Sequence, residues 1–542
     1  MRIHLDAAGL LTGGLFFALS LTPSLLPRPP LMQGVLSGLS FAAGYGLAVA
    51  AFALWRYLQL PMLSGLSLRV GRLIAGALCL IAVGAGLWHA AYWQQSLREL
   101  MGVEEWTGTQ PVLIVTVAMA TFLLALALAR LFRWSARSLT RWLDSHAPPR
   151  LSRVIAIGVS VALFWTAIDG VLFSTLLRLA DRSFQRVDAL IDPELPSPTN
   201  PGQAGSADSL VNWEDLGRQG RLFVAGGPDA EELGRFFGTS TPMPIRVYVG
   251  LNSADSPEAR ARLALEELIR VGGFERSVLL LVTPTGTGWV DAAGQDPVEY
   301  LHRGDIATVA AQYSYLNSPL ALLTEAAYGV EMARALFREI YGYWRNLPEH
   351  ARPRLFLSGL SLGSLNSDLS FDFYDIIDAP FDGALWSGPP FRHGTWQRVT
   401  AGRDPGSPFW LPVFRDGKVV RFKNQWGGLE TGGSGWGRFR IVFLQYASDP
   451  ITFFSPQTAW RSPEWLREPR APDISPSFRW FPVVTMLQLA VDMVLGTAPT
   501  GFGHEIAAVD YLEAWLALTE PAGWSDEELA RLRALFAARD AQ

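Results

Sequence analysis

Five long apolar stretches crowd the first third of the chain, at roughly 7–27, 33–55, 72–94, 111–132 and 154–177. A membrane-spanning helix takes about 20 mostly apolar residues, so each qualifies by length and composition. Short links containing Pro and Arg separate them, as in Pro27-Arg28-Pro29-Pro30. One such stretch alone reads equally well as a buried helix of a soluble core. Five in succession, with almost no charge inside, do not. The averages over the whole chain, mean hydropathy +0.18 and 18% charged residues, conceal this concentration. The first stretch resembles a secretory signal in position only. Arg2, His4 and Asp6 make a weakly basic start, and no A-x-A site follows. It is read as a retained helix, and residues 1–186 as an all-α transmembrane domain of about five spans.

Lys and Arg in short loops mark the cytoplasmic side. The loop after the second stretch carries Arg56 and Arg69, with Arg72 at the next boundary. The loop after the fourth carries Arg133, Arg137, Arg141 and Arg150, flanked by Arg130 and Arg153. After the third, Arg98 stands against Glu99, Glu104 and Glu105. Alternation from these basic loops predicts an internal amino terminus and an extracytoplasmic carboxy-terminal part. Arg178, Arg182 and Arg186, just past the fifth stretch, weigh the other way. Asp169 lies inside that stretch near its end, either a functional carboxylate at membrane depth or an interfacial residue.

Residues 187–212 hold a Pro/Gly/Ser-rich run without periodicity, read as a linker. In 213–542, short continuous apolar runs alternate with helical patterns. Strands are expected at 246–249, 277–282, 354–357, 383–386 and 440–444, with a less distinct one near 306–313. Helices are expected at 259–270 and 331–344. Such alternation predicts α/β architecture, a doubly wound and mostly parallel sheet. The net charge of −5 gives no basic surface for nucleic acid. The single cysteine, Cys79, forms no internal disulfide, and no Cys/His cluster has metal-ligand spacing. No metal, nucleotide or organic cofactor is indicated.

The chemistry starts at Gly359-Leu360-Ser361-Leu362-Gly363, which matches G-x-S-x-G after an apolar strand. Small residues two before and two after the serine permit a sharp strand-to-helix turn. That turn exposes Ser361 and aims the N–H of Leu362 at a developing oxyanion. The plain alternative is a glycine-rich structural turn. Where such a serine works in a triad, acid and histidine follow it along the chain. Only His393 and His504 follow Ser361. His393 comes too soon to leave room for the remaining strands. His504 lies in a Gly-rich loop, Gly501-Phe502-Gly503-His504, before a helical pattern. Asp449 ends the apolar run starting at Ile441 and is the best-placed carboxylate; Asp382 and Asp404 are weaker candidates. Thr285, Gly286 and Thr287, after the strand at 277–282, are candidates for a second oxyanion donor from the backbone.

These motifs resemble a family of bacterial membrane-anchored α/β-hydrolases, with a multi-span amino-terminal domain before a catalytic one. The similar segments include Leu21-Thr-Pro-Ser-Leu-Leu-Pro-Arg28, Tyr248–Asp255, Thr283–Asp291, Gln312–Leu316, Ala447–Ile451 and Trp465–Arg470. The resemblance implies catalytic roles for Ser361, Asp449 and His504. The sequence departs from the family pattern at Leu360, where an acidic residue is expected, and at Phe502, where a histidine is. The leading expectation is a membrane-bound esterase or lipase-like enzyme acting on a lipid or acyl-ester substrate. The alternatives are an acyltransferase using the same triad and a catalytically silent scaffold or transporter. The segment with Phe453, Phe454, Trp460, Trp465 and Trp480, between acid and histidine, reads as core, as a cap, or as a membrane-touching surface.

Overall fold

The computed structural model describes residues 5–61, 65–103, 110–166, 188, 190, 195–316, 326–430, 435–495 and 498–541. The chain forms two compact units. One comprises Met1–Leu177 and Phe454–Pro499, the other Arg178–Phe453 and Thr500–Gln542.

The first unit holds helices α1 (Ala7–Ser20), α2 (Pro30–Tyr57), α3 (Gly65–Leu100), α4 (Pro111–Leu143) and α5 (Pro149–Trp165). Of these, α2, α3 and α4 are long and apolar enough to cross a membrane. The outer side chains of α3, among them Leu73, Leu80 and Trp88, remain exposed. An apolar surface of that kind suits a lipid environment better than water. Among the described residues three helices are thus long enough to span, and the five expected spans are not all represented there. Helix α1 has 14 residues, about 21 Å at 1.5 Å per residue, against a hydrocarbon core of about 30 Å. Pro23 accounts for its early end, because proline lacks the N–H and clashes with the preceding turn. The fifth stretch is described as a helix only to Trp165. Its remainder, with Asp169, Arg178, Arg182 and Arg186, lies outside the described residues.

After α1 the chain enters a buried loop. Leu21, Ser24, Leu25, Leu26 and Arg28 are all inaccessible. The loop holds helix Val484–Leu495 from the aromatic-rich segment. Leu25 N–H donates to Asp492 Oδ2 at 3.2 Å, and Gln488 Nε2 donates to the Thr22 carbonyl at 3.0 Å. The Arg28 guanidinium faces Asp492 at 3.6 Å. Phe454–Pro499 thus clusters with the apolar helices.

The second unit is built on seven parallel strands: β1 (Ile245–Val249), β2 (Val278–Thr283), β3 (Ile306–Ala311), β4 (Arg354–Leu360), β5 (Gly383–Ser387), β6 (Val420–Lys423) and β7 (Arg440–Leu444). Their order is β1-β3-β2-β4-β5-β7-β6. The continuous apolar runs of β2, β3, β5 and β7 match a sheet covered on both faces. Strand β6 was not anticipated. Thr283 pairs with Gly359, Leu360 with Ser387, and Ser387 with Leu444. The carboxyl ends of β2, β4, β5 and β7 therefore align at one edge, where ligands of open parallel sheets bind. Part of the run read as a linker is packed. Ser209 Oγ donates to Glu267 Oε1 at 2.7 Å, and Leu210 N–H to Glu267 Oε2 at 3.0 Å.

Candidate active site

Ser361 follows β4 directly and precedes helix Leu362–Asp368, with φ 57° and ψ −123°. Few residues other than glycine adopt positive φ. Local bonds hold it there. Its N–H donates to the Ser387 carbonyl at 2.9 Å, and its carbonyl accepts Ser364 N–H at 3.0 Å. The flanking glycines are sterically required. A Cβ on Gly359 would lie 2.4 Å from the Gly363 carbonyl carbon, and one on Gly363 would lie 2.2 Å from the Thr283 carbonyl oxygen. The spacing of the motif thus reflects a tight strand–turn–helix packed on the end of β2.

Asp449 lies beyond β7 and is fully buried. Its Oδ1 accepts Ile451 N–H at 2.8 Å. Its Oδ2 accepts the Thr452 hydroxyl at 3.0 Å and pairs with His504 Nδ1 at 2.7 Å. A carboxylate at Nδ1 fixes the proton there and leaves Nε2 as the acceptor. That Nε2 is buried and has no hydrogen-bond partner among the described residues. The imidazole also abuts Gly388 (φ 47°), where a Cβ would come within 2.4 Å of His504 Cε1. Gly388 directly follows Ser387, whose carbonyl holds Ser361. Serine and imidazole therefore meet the same dipeptide at the end of β5. Burial alone would lower the His504 pKa, but the Asp449 charge and hydrogen bond outweigh it. The net shift is upward, with smaller contributions from Glu505 and Asp291.

The weaker candidates have other duties. His393 is buried and caps helix Gly394–Ala401, accepting Trp396 N–H at 3.2 Å. Burial lowers its pKa to about 3. Asp382 accepts Leu355 N–H at 2.8 Å, at the opposite edge of the sheet from Ser361. Asp404 accepts the N–H groups of Arg415 at 3.0 Å and Asp416 at 2.8 Å.

The loop after β2 narrows the donor choice. Thr285 N–H donates to the Trp289 carbonyl at 3.0 Å, so this candidate is withdrawn as an oxyanion donor. A backbone N–H has one hydrogen to give. The N–H groups of Gly286 and Thr287 donate to nothing among the described residues. Leu362 begins its helix, where an N–H has no partner within the helix. Gly288 is pinned by Tyr248, whose hydroxyl donates to its carbonyl at 2.7 Å. Asp291 closes the loop and caps helix Ala292–Leu301, accepting Ala293 N–H at 3.0 Å. Burial raises its pKa to about 7, against hydrogen bonds that include one to Tyr511. A cavity of about 20 Å³ lies between this loop and β4, lined by Thr285, Asp291, Ser358 and Tyr511. It has room for about one water.

Residues 245–532 match the model of an α/β-hydrolase family, more than half of the chain. The chain belongs to the α/β-hydrolase family. Residues 21–228 match the model of that family's N-terminus. No curated protein and no solved structure matches. The α/β-hydrolase match takes in Ser361, Asp449 and His504 together. Among the described residues no three His, Cys, Asp or Glu side chains are placed to hold a metal ion. In this α/β-hydrolase Gly388 was not anticipated as a site residue, and only the Gly-Pro-Pro run after β5 hinted at it.

Proposed function

We propose that the protein is a membrane-anchored serine hydrolase that cleaves an ester of a lipid or acylated envelope molecule. One observation carries the reading. The bond from His504 to the buried Asp449 leaves Nε2 without a hydrogen-bond partner among the described residues, against the strand end that holds Ser361. In this reading Ser361 Oγ attacks the acyl carbon while His504 Nε2 takes its proton. His504 then protonates the departing alcohol, and Asp449 stays ionised throughout. Water attacks the resulting acyl-enzyme, again giving its proton to His504, and the acid leaves as Ser361 is restored. The N–H of Leu362, with that of Gly286 or Thr287, supplies the oxyanion donors. The three long apolar helices support anchoring and a substrate drawn from the bilayer. The arginine-rich second and fourth loops support an extracytoplasmic site.

The test uses the full chain in detergent with a fluorophosphonate probe and short acyl esters. Wild type takes up the label and hydrolyses the esters. Ser361→Ala loses labelling and roughly a millionfold in turnover, with an unchanged melting profile. Full labelling of the alanine variant would overturn the assignment.

A further inference from the structure

Behind the Asp449–His504 pair lies a set of polar contacts that neither residue makes itself. Tyr446, three residues before Asp449, is fully buried. Its oxygen accepts Ala507 N–H, three residues after His504, at 3.0 Å. Its hydroxyl donates to Asp510 Oδ2 at 2.5 Å. The other oxygen of Asp510 takes the Lys423 ammonium at 2.7 Å. Lys423, at the end of β6, is only 4% exposed. One step inward, Ser448 Oγ accepts Gly503 N–H at 2.9 Å, joining the neighbours of the acid and of the histidine. Gln425 Nε2 donates to the Gly501 carbonyl at 2.8 Å. The strand end bearing the acid and the loop bearing the histidine are thus tied on both sides of the pair.

We infer that Tyr446, backed by Lys423 and Asp510, is a positioning group that sets the Asp449–His504 hydrogen bond. The inference rests on the reading of that pair as catalytic machinery. A buried ion pair is not the cheapest way to hold a fold. Apolar replacements of similar volume are often as stable or more so. What the ionic chain supplies is direction. Asp510, fixed by the ammonium, orients the phenol, and the phenol fixes the backbone of the histidine loop. Phenol ionisation is suppressed by burial and by Asp510, so the hydroxyl stays a donor to Asp510 and an acceptor for Ala507. The same arrangement assigns a purpose to β6, the edge strand that places Lys423 and Gln425 beside the loop.

The experiment compares Tyr446→Phe and the paired variant Lys423→Met/Asp510→Asn, which leaves no unpaired charge. Both are read in the full chain in detergent. Carbon-13 histidine NMR gives the His504 pKa without reference to activity, assigned by loss of its signal in His504→Ala. Ester turnover gives kcat and KM. Both variants are expected to lower the His504 pKa toward its ordinary value, as the bond to Asp449 loosens. Turnover is expected to fall tenfold to a hundredfold in kcat, as for a misplacement of about 1 Å, with KM little changed. An unmoved His504 pKa in folded variants would overturn the inference. Absence of turnover in wild type, with the pKa shift present, would instead overturn the proposed function and leave the positioning role supported.

Discussion

At Gly388 the missing side chain is what admits the imidazole of His504. Alanine there would bring its Cβ within 2.4 Å of His504 Cε1, on a backbone at φ 47°. Gly388→Ala is expected to cut turnover at least tenfold while fluorophosphonate still reaches Ser361 slowly; an unchanged kcat would contradict the contact. Two groups near the site are shifted upward. His504 is raised above its ordinary value, and Asp291 is raised to about 7. In the proposed mechanism turnover requires neutral His504, so kcat/KM should rise with pH about a midpoint above roughly 6.5. Asp291→Asn removes a carboxylate that favours the imidazolium, so the midpoint should move to lower pH. A pH–rate profile in which it stays or moves up would disprove the coupling. Stability depends on the same groups. The contribution of the His504 pairing is complete below about 6.5 and is lost as pH rises through the folded value. Asp291 keeps its proton in the fold between about 4 and 7, where the unfolded chain has lost it, so its contribution also falls with pH. The chain should therefore melt higher on the acid side of neutrality.

Elements differed in how far the sequence exposed them. Strands β2 and β4 were legible because a strand buried on both faces has to be apolar throughout. Strand β6 was not, because a four-residue edge strand with Arg421 and Lys423 alternating looks like loop. The order of residues after Ser361 favoured His504 over His393, and the structure places His504 on Asp449 and His393 on a helix cap. The commitment of Thr285 N–H to Trp289 was beyond reach, since it depends on one turn's geometry. Helix α1 was overextended by counting apolar residues across Pro23. Least legible was the attachment of helix Val484–Leu495 to the loop after α1, because the bond from Leu25 to Asp492 spans 467 positions. That attachment can be tested. Asp492→Leu leaves Arg28 buried without its counter-charge, a loss of about 3–5 kcal/mol for such a broken pair. Limited proteolysis should then cut between 454 and 499 sooner than in wild type. Adding Arg28→Met should restore resistance, and equal cleavage of all three proteins would show the pair to be idle.

At the scale of the whole molecule, the arginine excess in the second and fourth loops predicts an extracytoplasmic hydrolase unit. Carboxy-terminal fusions to a reporter active only after export, and to one active only in the cytoplasm, decide the matter. Signal from the cytoplasmic reporter alone would reverse the orientation and remove the preference for an envelope substrate. The division of the chain has its own consequence. Because Phe454–Pro499 belongs with the amino-terminal helices, the backbone passes between the two units three times, near residues 177, 453 and 499. A single cut in the run 190–212 leaves Phe454–Pro499 joined to the hydrolase unit by two covalent connections, while the amino-terminal helices then hold that segment only by non-covalent contacts such as Leu25 with Asp492. Deleting everything before residue 213 would strip helix Val484–Leu495 of the loop that covers it and leave Asp492 without Arg28. Shortening one end therefore cannot separate the two units cleanly, because the chain that carries His504 begins where Phe454–Pro499 ends.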